Sequence, residues 1–239
     1  MTLGEQIKQA KELVKFKAKD LPYIAYFQSF TGTYGDLEYL EKIYQEACSY
    51  HEIVGLSIAT RPDCLDDDAM AMLERLSERK PLWVELGLQT IHERTAKNIN
   101  RGYPLSVYDD AMKKLAKINA HRITHVILGL PGESKRDILE TVTYVGKQTD
   151  GIKLQLLHVL ENTAMAKDFL NNKFQVLKQE EYYQLLADCV EALPEECIIH
   201  RLTGDGPKKH LLAPLWSANK KRVLADIQKI FSTRNIFPK

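Results

Sequence analysis

Residues Leu82 to Asn100 read LWVELGLQTIHERTAKNIN, and this stretch decides how the fold of the chain is interpreted. It opens with an apolar run that stops at Gln89 and Thr90, and a helical pattern follows directly. A short apolar run bounded in this way is typical of a parallel strand buried on both faces. Its one charged residue, Glu85, lies mid-strand, where an ionised group needs a partner or a function. Polar residues at the strand end indicate a site, because α/β folds carry their sites at that edge.

Similar apolar runs occur along the whole chain and alternate with helical patterns. The predicted strands are 23–27, 53–59, 82–88, 124–128, 152–158 and 197–200. They recur about every 30 to 40 residues, as in a βα barrel. The alternation predicts right-handed βα units around a parallel sheet, hence an α/β fold. We expect a single domain over residues 1–239 with a helical extension at 206–239.

The composition is that of an ordinary globular protein. The 239 residues carry a net charge of +1, so no global field attracts nucleic acid or membrane. Neither a secretory signal nor an apolar run of about 18 residues is visible, so we expect a cytoplasmic protein without a membrane partner. The cysteines are scattered, lack metal-ligand spacing and are expected to be small reduced residues, so the chain offers no metal site. They are Cys48, Cys64, Cys189 and Cys197.

Every predicted strand ends in polar or glycine-containing sequence, and in a barrel these ends meet at one rim. Strand ends can also be polar simply because loops meet water, but charges on buried strands need partners. The candidate site residues are Gln28, Ser29, Arg61, Asp63, Glu85, Gln89, Gly129, Gly132, His158, His200, Arg201 and Asp205.

Spacing alone leaves the chemistry of these candidates open. The segment GLPGE at 129–133 is neither a phosphate loop nor a dinucleotide fingerprint, although its glycines let backbone approach a ligand. Several acidic and histidine side chains could act as acid–base groups, or the histidines could be buried structural residues. A basic cluster at 208–210 and 220–222 is either a solvated face or an RNA contact.

Three motifs resemble those of radical SAM proteins, specifically the core of the elongator catalytic subunit and, more loosely, oxygen-independent coproporphyrinogen oxidase. They are SIATRPD at 57–63, VELGLQTI at 84–91 and NRGY at 100–103. Four further motifs extend the resemblance to a bacterial elongator-like radical SAM family over nearly the whole chain. They are YFQSFT at 26–31, LGLPGE at 128–133, GIKLQLLH at 151–158 and HRLTGDGP at 200–207.

The resemblance implies a partial (β/α)6 TIM-like barrel of parallel strands, a [4Fe-4S] cluster and S-adenosylmethionine (SAM). In that chemistry an electron donor reduces the cluster, and a 5′-deoxyadenosyl radical abstracts hydrogen from the substrate. The elongator-like motifs make tRNA the expected substrate, with modification of the wobble uridine.

The resemblance also implies roles by position. Gln28 and Ser29 would face the methionine end of SAM, and the glycines Gly129 and Gly132 would flank its adenosine. Near its polar groups or the substrate would lie Arg61, Asp63, Glu85 and Gln89. On the substrate side would lie His158, His200, Arg201 and Asp205.

One departure from the family is the cluster segment. The family's first strand and its CxxxCxxC loop precede the region that begins here, and on that basis the strand at Cys197 lies beyond the six-strand core. Three thiolates hold such a cluster, and no cysteine of this chain can replace them. We therefore expect a truncated chain that is inactive without the cluster segment. The alternatives are a cluster-less barrel that binds RNA or a protein, and a plain hydrolase or isomerase barrel.

Overall fold

The structure, a computed structural model, describes residues 2–16, 21–204 and 206–237. The helices are α1 (Leu3–Val14), α2 (Leu37–Ser49), α3 (Asp67–Ser77), α4 (Glu93–Asn98), α5 (Leu105–Leu115), α6 (Lys135–Gly146), α7 (Ala164–Leu170), α8 (Gln179–Glu191) and α9 (Lys220–Arg234). The strands are β1 (Tyr23–Phe27), β2 (Ile53–Thr60), β3 (Leu82–Gln89), β4 (Ala120–Leu128), β5 (Gly151–Leu156), β6 (Val159–Leu160), β7 (Ile198–Arg201) and β8 (Leu211–Ala213).

Six of the strands form one sheet in the order β1-β2-β3-β4-β5-β7, and β6 pairs with β8 in a separate antiparallel ribbon. The strands pair in parallel where β1 meets β2, β2 meets β3, β4 meets β5 and β5 meets β7. The six predicted strands and the α/β class are thereby confirmed.

The chain divides into two compact units, and β3 and β4 contribute residues to both. The first unit comprises residues 1–87 and 106–122, and the second comprises 88–105 and 123–239. The single domain over 1–239 and the extension at 206–239 stay predictions.

Local sequence explains where the helices begin. Thr2 and Glu5 form a capping box: the Thr2 amide donates to the Glu5 carboxylate at 2.7 Å, and the Glu5 amide donates to the Thr2 hydroxyl at 3.3 Å. Ser134 and Asp137 repeat the device at the start of α6. Such caps satisfy backbone N–H groups that a helix start leaves without partners.

The core of the first unit lies between β2 and helices α2 and α3. From Gly55 to Thr60 every residue of β2 is buried, as expected for a strand covered on both faces. Tyr44 on α2 packs edge-on against Phe27 with ring centroids 4.8 Å apart, and its hydroxyl donates to the carbonyl of Gly32 at 2.5 Å. This contact positions the loop that follows β1.

The core of the second unit includes β5, α6 and α8. Tyr182 on α8 is fully buried, packs against Trp216 at 5.6 Å and donates its hydroxyl to the carbonyl of Leu202. The short ribbon of β6 and β8 has a small core of its own, in which Val159 and Ala213 meet side chains of α7.

Several predicted boundaries were wrong. The fifth strand ends at Leu156, so His158 lies beyond it in the connection to β6. The predicted strand at 124–128 begins earlier, at Ala120, and the helix α9 follows a separate 3-10 turn at residues 215–218. Strands of two and three residues, such as β6 and β8, are too short to give a periodic signal. Among the helices that the structure describes, none has the length and apolar character needed to cross a bilayer.

Candidate functional site

In the first unit, the mid-strand carboxylate of Glu85 is buried, with 3% of the residue exposed. Ser57 on β2 donates its hydroxyl hydrogen to Glu85 Oε1 at 2.6 Å, and Tyr26 on β1 donates to Oε2 at 3.0 Å. Hydrogen bonds to a charged acceptor compensate for the loss of water that burial imposes. A charge at this position requires a partner, and the hydroxyls of Tyr26 and Ser57 on the two preceding strands supply it.

Arg61 and Asp63 lie at the end of β2 and form a two-pronged ion pair. Arg61 Nε donates to Asp63 Oδ1 at 2.9 Å, and its Nη2 donates to Oδ2 at 2.6 Å. Gln28 and Ser29 follow β1 and are exposed. The structure thus brings Arg61 and Asp63 together and places Gln28 and Ser29 where solvent reaches them.

In the second unit, Gln89 ends β3 in a strained conformation, with a φ of 72°. The amide of Thr90 donates to the carbonyl of Leu88 at 2.9 Å, so Gln89 is the central residue of a γ-turn with positive φ, a rare and strained geometry. Among the described residues, nothing donates a hydrogen bond to Gln89 Oε1, although this atom is buried. A buried acceptor without a donor is costly, and strained residues of this kind concentrate at functional sites.

Arg101 contacts the residue that follows this turn, and only 2% of its side chain is exposed. Its Nη1 donates to the carbonyl of Thr90 and its Nε donates to the carbonyl of Tyr103, at 2.5 Å and 2.9 Å. Its Nη2 donates to Glu93 Oε1 at 3.0 Å, which pairs the buried charge. All three nitrogens of the Arg101 guanidinium therefore donate hydrogen bonds to other groups of the protein.

The turn at 129–133 contacts the end of β3. Thr90 donates its hydroxyl to Glu133 Oε1 at 2.6 Å, and Arg94 donates to the carbonyl of Gly132 at 2.9 Å. Gly129 and Gly132 have φ values of 87° and 83°, which favour glycine. The two candidate glycines and Gln89 thus belong to one hydrogen-bonded region of the second unit.

Glu133 has an unusual electrostatic setting. Burial raises the pKa of its carboxyl above the ordinary range, and the hydrogen bond from Thr90 opposes this shift in part. Desolvation disfavours the charged form of a carboxyl, and a hydrogen bond to that form favours it. A perturbed carboxyl beside a strained strand end is a feature of functional sites.

His158 is held in one orientation by hydrogen bonds at both ring nitrogens. The amide of Gly206 donates to Nδ1 at 3.3 Å, so a neutral ring carries its proton on Nε2. Nε2 then donates to Ser217 Oγ at 3.1 Å, and the Ser217 hydroxyl donates to the carbonyl of Pro214 at 2.8 Å. This direction is opposite to that of a serine nucleophile activated by histidine. The pair supports a structural role and gives the hydrolase alternative no support.

The other predicted substrate-side residues lie on and after β7. His200 is exposed and its ring lies against Gly151, while Arg201 is half-buried and aligned with Lys153 of β5. Lys153 itself is buried, with 5% exposed. Asp205 lies outside the described residues, so its predicted role stays a prediction.

The cysteines do not fit an iron–sulfur cluster. Burial raises the pKa of the thiols of Cys189 and Cys197 to about 12 and about 11, and it also raises those of Cys48 and Cys64. Clusters need thiolates that lie close together, and the residues described here bring no three cysteines into one group. No step of the chemistry is therefore assigned to a cluster on these residues.

One group of three metal-type side chains does come together, at His92, Asp137 and Glu140. His92 Nε2 lies 4.0 Å from Asp137 Oδ1 and 3.9 Å from Glu140 Oε2. The same nitrogen lies 2.8 Å from the carbonyl oxygen of Asp137, so it donates a hydrogen bond and has no lone pair free for a metal. The group is therefore a histidine bonded to a backbone carbonyl with two carboxylates nearby, and it carries no metal assignment.

Sequence reasoning missed several residues of this region. The NRGY motif includes Arg101 but assigns it no role, and the sequence identifies Thr90 only as a polar residue at a strand end. Glu133 was included in a glycine turn and not considered as a titrating group. Arg101 and Glu133 are charged and therefore call for partners, but the Thr90 partner of Glu133 is 43 positions away in the sequence.

Comparison with known proteins identifies the family. The Radical SAM superfamily model matches residues 1–145, and the Radical_SAM C-terminal domain model matches 149–232. The protein YtqA of Bacillus subtilis is 43% identical over 233 residues, which are 97% of this chain and 72% of that protein. A tRNA uridine(34) acetyltransferase of Methanocaldococcus infernus is 28% identical over 179 residues, or 72% of this chain and 32% of that protein.

A solved structure shows the fold. The archaeal Elp3 of Methanocaldococcus infernus, with an N-terminal deletion, superposes with a TM-score of 0.82 at 18% identity. The match covers 97% of this chain and 58% of that one, so the chain spans less than two thirds of that structure. The predicted fold class, a partial (β/α)6 TIM-like barrel of parallel strands, is confirmed. The two family models together match most of the chain, and the fold agrees with them. The chain therefore belongs to the radical SAM superfamily and is similar to its elongator-like members.

Proposed function

We propose that this chain is the SAM-binding part of a cytoplasmic radical SAM enzyme that acts on tRNA and modifies the wobble uridine. The observation that carries the SAM assignment is the buried, unpartnered Oε1 of Gln89 in its strained turn. An amide oxygen in this state calls for a donor from a ligand, and the amino groups of SAM are such donors.

The neighbouring residues fit the same ligand. Gly132 leaves the backbone of the turn open to close approach, whereas Leu177 packs against Gly129, and Thr90 fixes the turn through Glu133. On the strength of the family likeness we retain the other proposed cofactor residues, Gln28, Ser29, Arg61, Asp63 and Glu85. When bound in a complete enzyme, SAM supplies the 5′-deoxyadenosyl radical that abstracts hydrogen.

The tRNA assignment is supported by the similarity to the tRNA uridine(34) acetyltransferase and by the basic cluster. Lys208, Lys209 and His210 are exposed in a 3-10 turn, and Lys221 and Arg222 are exposed in the first turn of α9. That first turn contains no acidic residue, so its positive helix end and its cations add to one another. Phosphate groups of RNA are the natural partners of such a surface.

Calorimetry with SAM tests the cofactor assignment. The wild-type chain is expected to bind SAM, and Gln89→Ala is expected to weaken binding about tenfold, the equivalent of one hydrogen bond to a charged donor. The matched control is Gln184→Ala, which removes an exposed glutamine on α8 and is expected to leave binding unchanged. A wild-type chain that does not bind SAM overturns the proposal.

The cysteines favour a second candidate function. Since the described thiols are scattered and held protonated, a cluster-less barrel that binds RNA or a protein accounts for this chain as it stands. Binding of tRNA without any binding of SAM would select this alternative.

A further inference from the structure

We propose that Arg101 is a positioning residue for Gln89: its buried guanidinium holds the strained turn that presents the Gln89 amide to its ligand. The proposal rests on the proposed function, because it names SAM as that ligand. Arg101 is not offered as a SAM contact, since its Nη1, Nε and Nη2 already donate to the Thr90 carbonyl, the Tyr103 carbonyl and Glu93.

The turn needs an external restraint. Gln89 carries a side chain at a φ of 72°, a region that residues other than glycine adopt at a cost. Such a conformation persists only where contacts with the surrounding structure hold the backbone in place. The hydrogen bond from the Thr90 amide to the Leu88 carbonyl closes the turn. The amide side of the next peptide is held only by a long bond, from the Ile91 amide to Thr141 Oγ1 at 3.4 Å, so its carbonyl side needs a restraint of its own.

Arg101 supplies that restraint from the far end of the same segment. Its Nη1 fixes the carbonyl of Thr90, the peptide that follows the turn. Its own amide donates to the carbonyl of Ala96 at 2.9 Å, which anchors it to α4, and its guanidinium lies 4.9 Å from the Tyr103 ring. The planar fork therefore joins the strand end, α4 and the next loop in one fixed geometry.

The other bonds to Thr90 act on different atoms. Glu133 accepts from the Thr90 hydroxyl at 2.6 Å, which orients the side chain. The carbonyl is held by Arg101. A lysine at 101 keeps the positive charge but presents one ammonium group, which cannot reach the Thr90 carbonyl, the Tyr103 carbonyl and Glu93 with the same geometry.

A double-mutant cycle separates positioning from general stability. SAM affinity is measured by calorimetry for the wild type, Arg101→Lys, Gln89→Ala and the double variant. We expect Arg101→Lys to weaken SAM binding about tenfold when Gln89 is present and less than about twofold when Gln89 is absent. Equal losses in both backgrounds, or no loss in either, would overturn the proposal.

A second measurement does not depend on SAM. Hydrogen–deuterium exchange of the free protein is followed for the peptide covering residues 86–93. Arg101→Lys is expected to increase exchange in that peptide, and unchanged exchange would overturn the positioning role. If the wild type fails to bind SAM, the proposed function is wrong. In that case the exchange measurement still tests whether Arg101 holds the turn.

Two further variants complete the test. Arg75→Lys makes the same change at an exposed arginine whose Nε and Nη2 both donate to the carboxylate of Glu41. This control should alter neither SAM affinity nor exchange at 86–93. If Arg101→Lys does not fold, Glu93→Gln removes the charge that pairs with Nη2 and weakens that bond, while an amide oxygen remains to accept from Nη2 and from the Leu105 amide. Increased exchange at 86–93 in Glu93→Gln supports the proposal, and unchanged exchange overturns it.

Discussion

Thr90 donates its hydroxyl hydrogen to a carboxylate oxygen of Glu133 across 2.6 Å, although the two residues are 43 positions apart. The bond joins the end of β3 to the glycine turn that follows β4. Thr90 follows Gln89 directly in the chain, so the bond to Glu133 connects the stability of this region to the geometry of the proposed ligand site.

Removing the hydroxyl should therefore be costly. Thr90→Val keeps the shape of the side chain and leaves the half-buried Glu133 carboxylate without this donor, so we expect a loss of about 1–3 kcal/mol in the free energy of unfolding. Urea denaturation measures it. Thr233→Val on the exposed face of α9 is the control, and a loss at Thr90 no larger than at Thr233 would contradict the prediction.

Stability should also depend on the protonation of Glu133. Because burial raises the pKa of its carboxyl in the folded state, the fold binds this proton more tightly than the unfolded chain does. The contribution is fully present below the unfolded pKa, near 4.5, and is lost as pH rises through the folded pKa. Glu133→Gln should flatten this part of the stability curve. The exposed Glu180→Gln should leave it unchanged, and identical curves for both variants would refute the assignment.

The buried carboxylate of Glu85 gives a third prediction. Ser57→Ala removes the donor at 2.6 Å and should lower the free energy of unfolding by about 1.5–3 kcal/mol, the range for a hydrogen bond to a charged group. Thermal or urea unfolding measures the change. Ser49→Ala removes an exposed hydroxyl at the end of α2 and should have little effect. Equal effects at the two serines would show that Ser57 does not support the carboxylate.

Residues 1–239 alone should not assemble an iron–sulfur cluster. Burial raises the pKa of the described cysteine thiols, and no three of them form a group. After anaerobic incubation with iron and sulfide, we expect the absorption spectrum to show no cluster band and iron analysis to find none bound. A brown sample with stoichiometric iron would prove this wrong.

The basic cluster should control RNA affinity. Replacing Lys221 and Arg222 together by alanine should weaken tRNA binding and reduce the salt dependence by about two contacts, since each neutralised phosphate contributes to the slope. Fluorescence anisotropy over a salt series measures both quantities. Lys42→Ala on the exposed part of α2 is the control. An unchanged salt slope in the double variant would remove α9 from the RNA surface.

Much of the fold could be predicted because hydrophobic periodicity is a local property. The run from Leu82 was predicted as a buried strand and forms β3, which ends at Gln89. The helix caps at Thr2 and Asp36 are local in the same sense, since a cap depends on neighbours within a few positions.

The candidate site could be predicted only in part. That Glu85 needs partners follows from its position in an apolar run, but that Ser57 and Tyr26 provide them depends on strand order and register. The positive φ of Gln89 has no sequence signal, because glutamine is not a turn residue. It is imposed by contacts such as the one from Arg101, which only the folded chain brings into place.

The hydrogen bonds that Glu85 accepts from Tyr26 and Ser57 also favour the correct register of β3. A slip of β3 by one residue would turn this carboxylate to the opposite face of the sheet, away from the hydroxyls of Tyr26 and Ser57. A misaligned chain would therefore bury a bare negative charge, whereas purely aliphatic strands would tolerate the error. The same carboxylate that marks a candidate binding position thus penalises incorrectly paired folding intermediates.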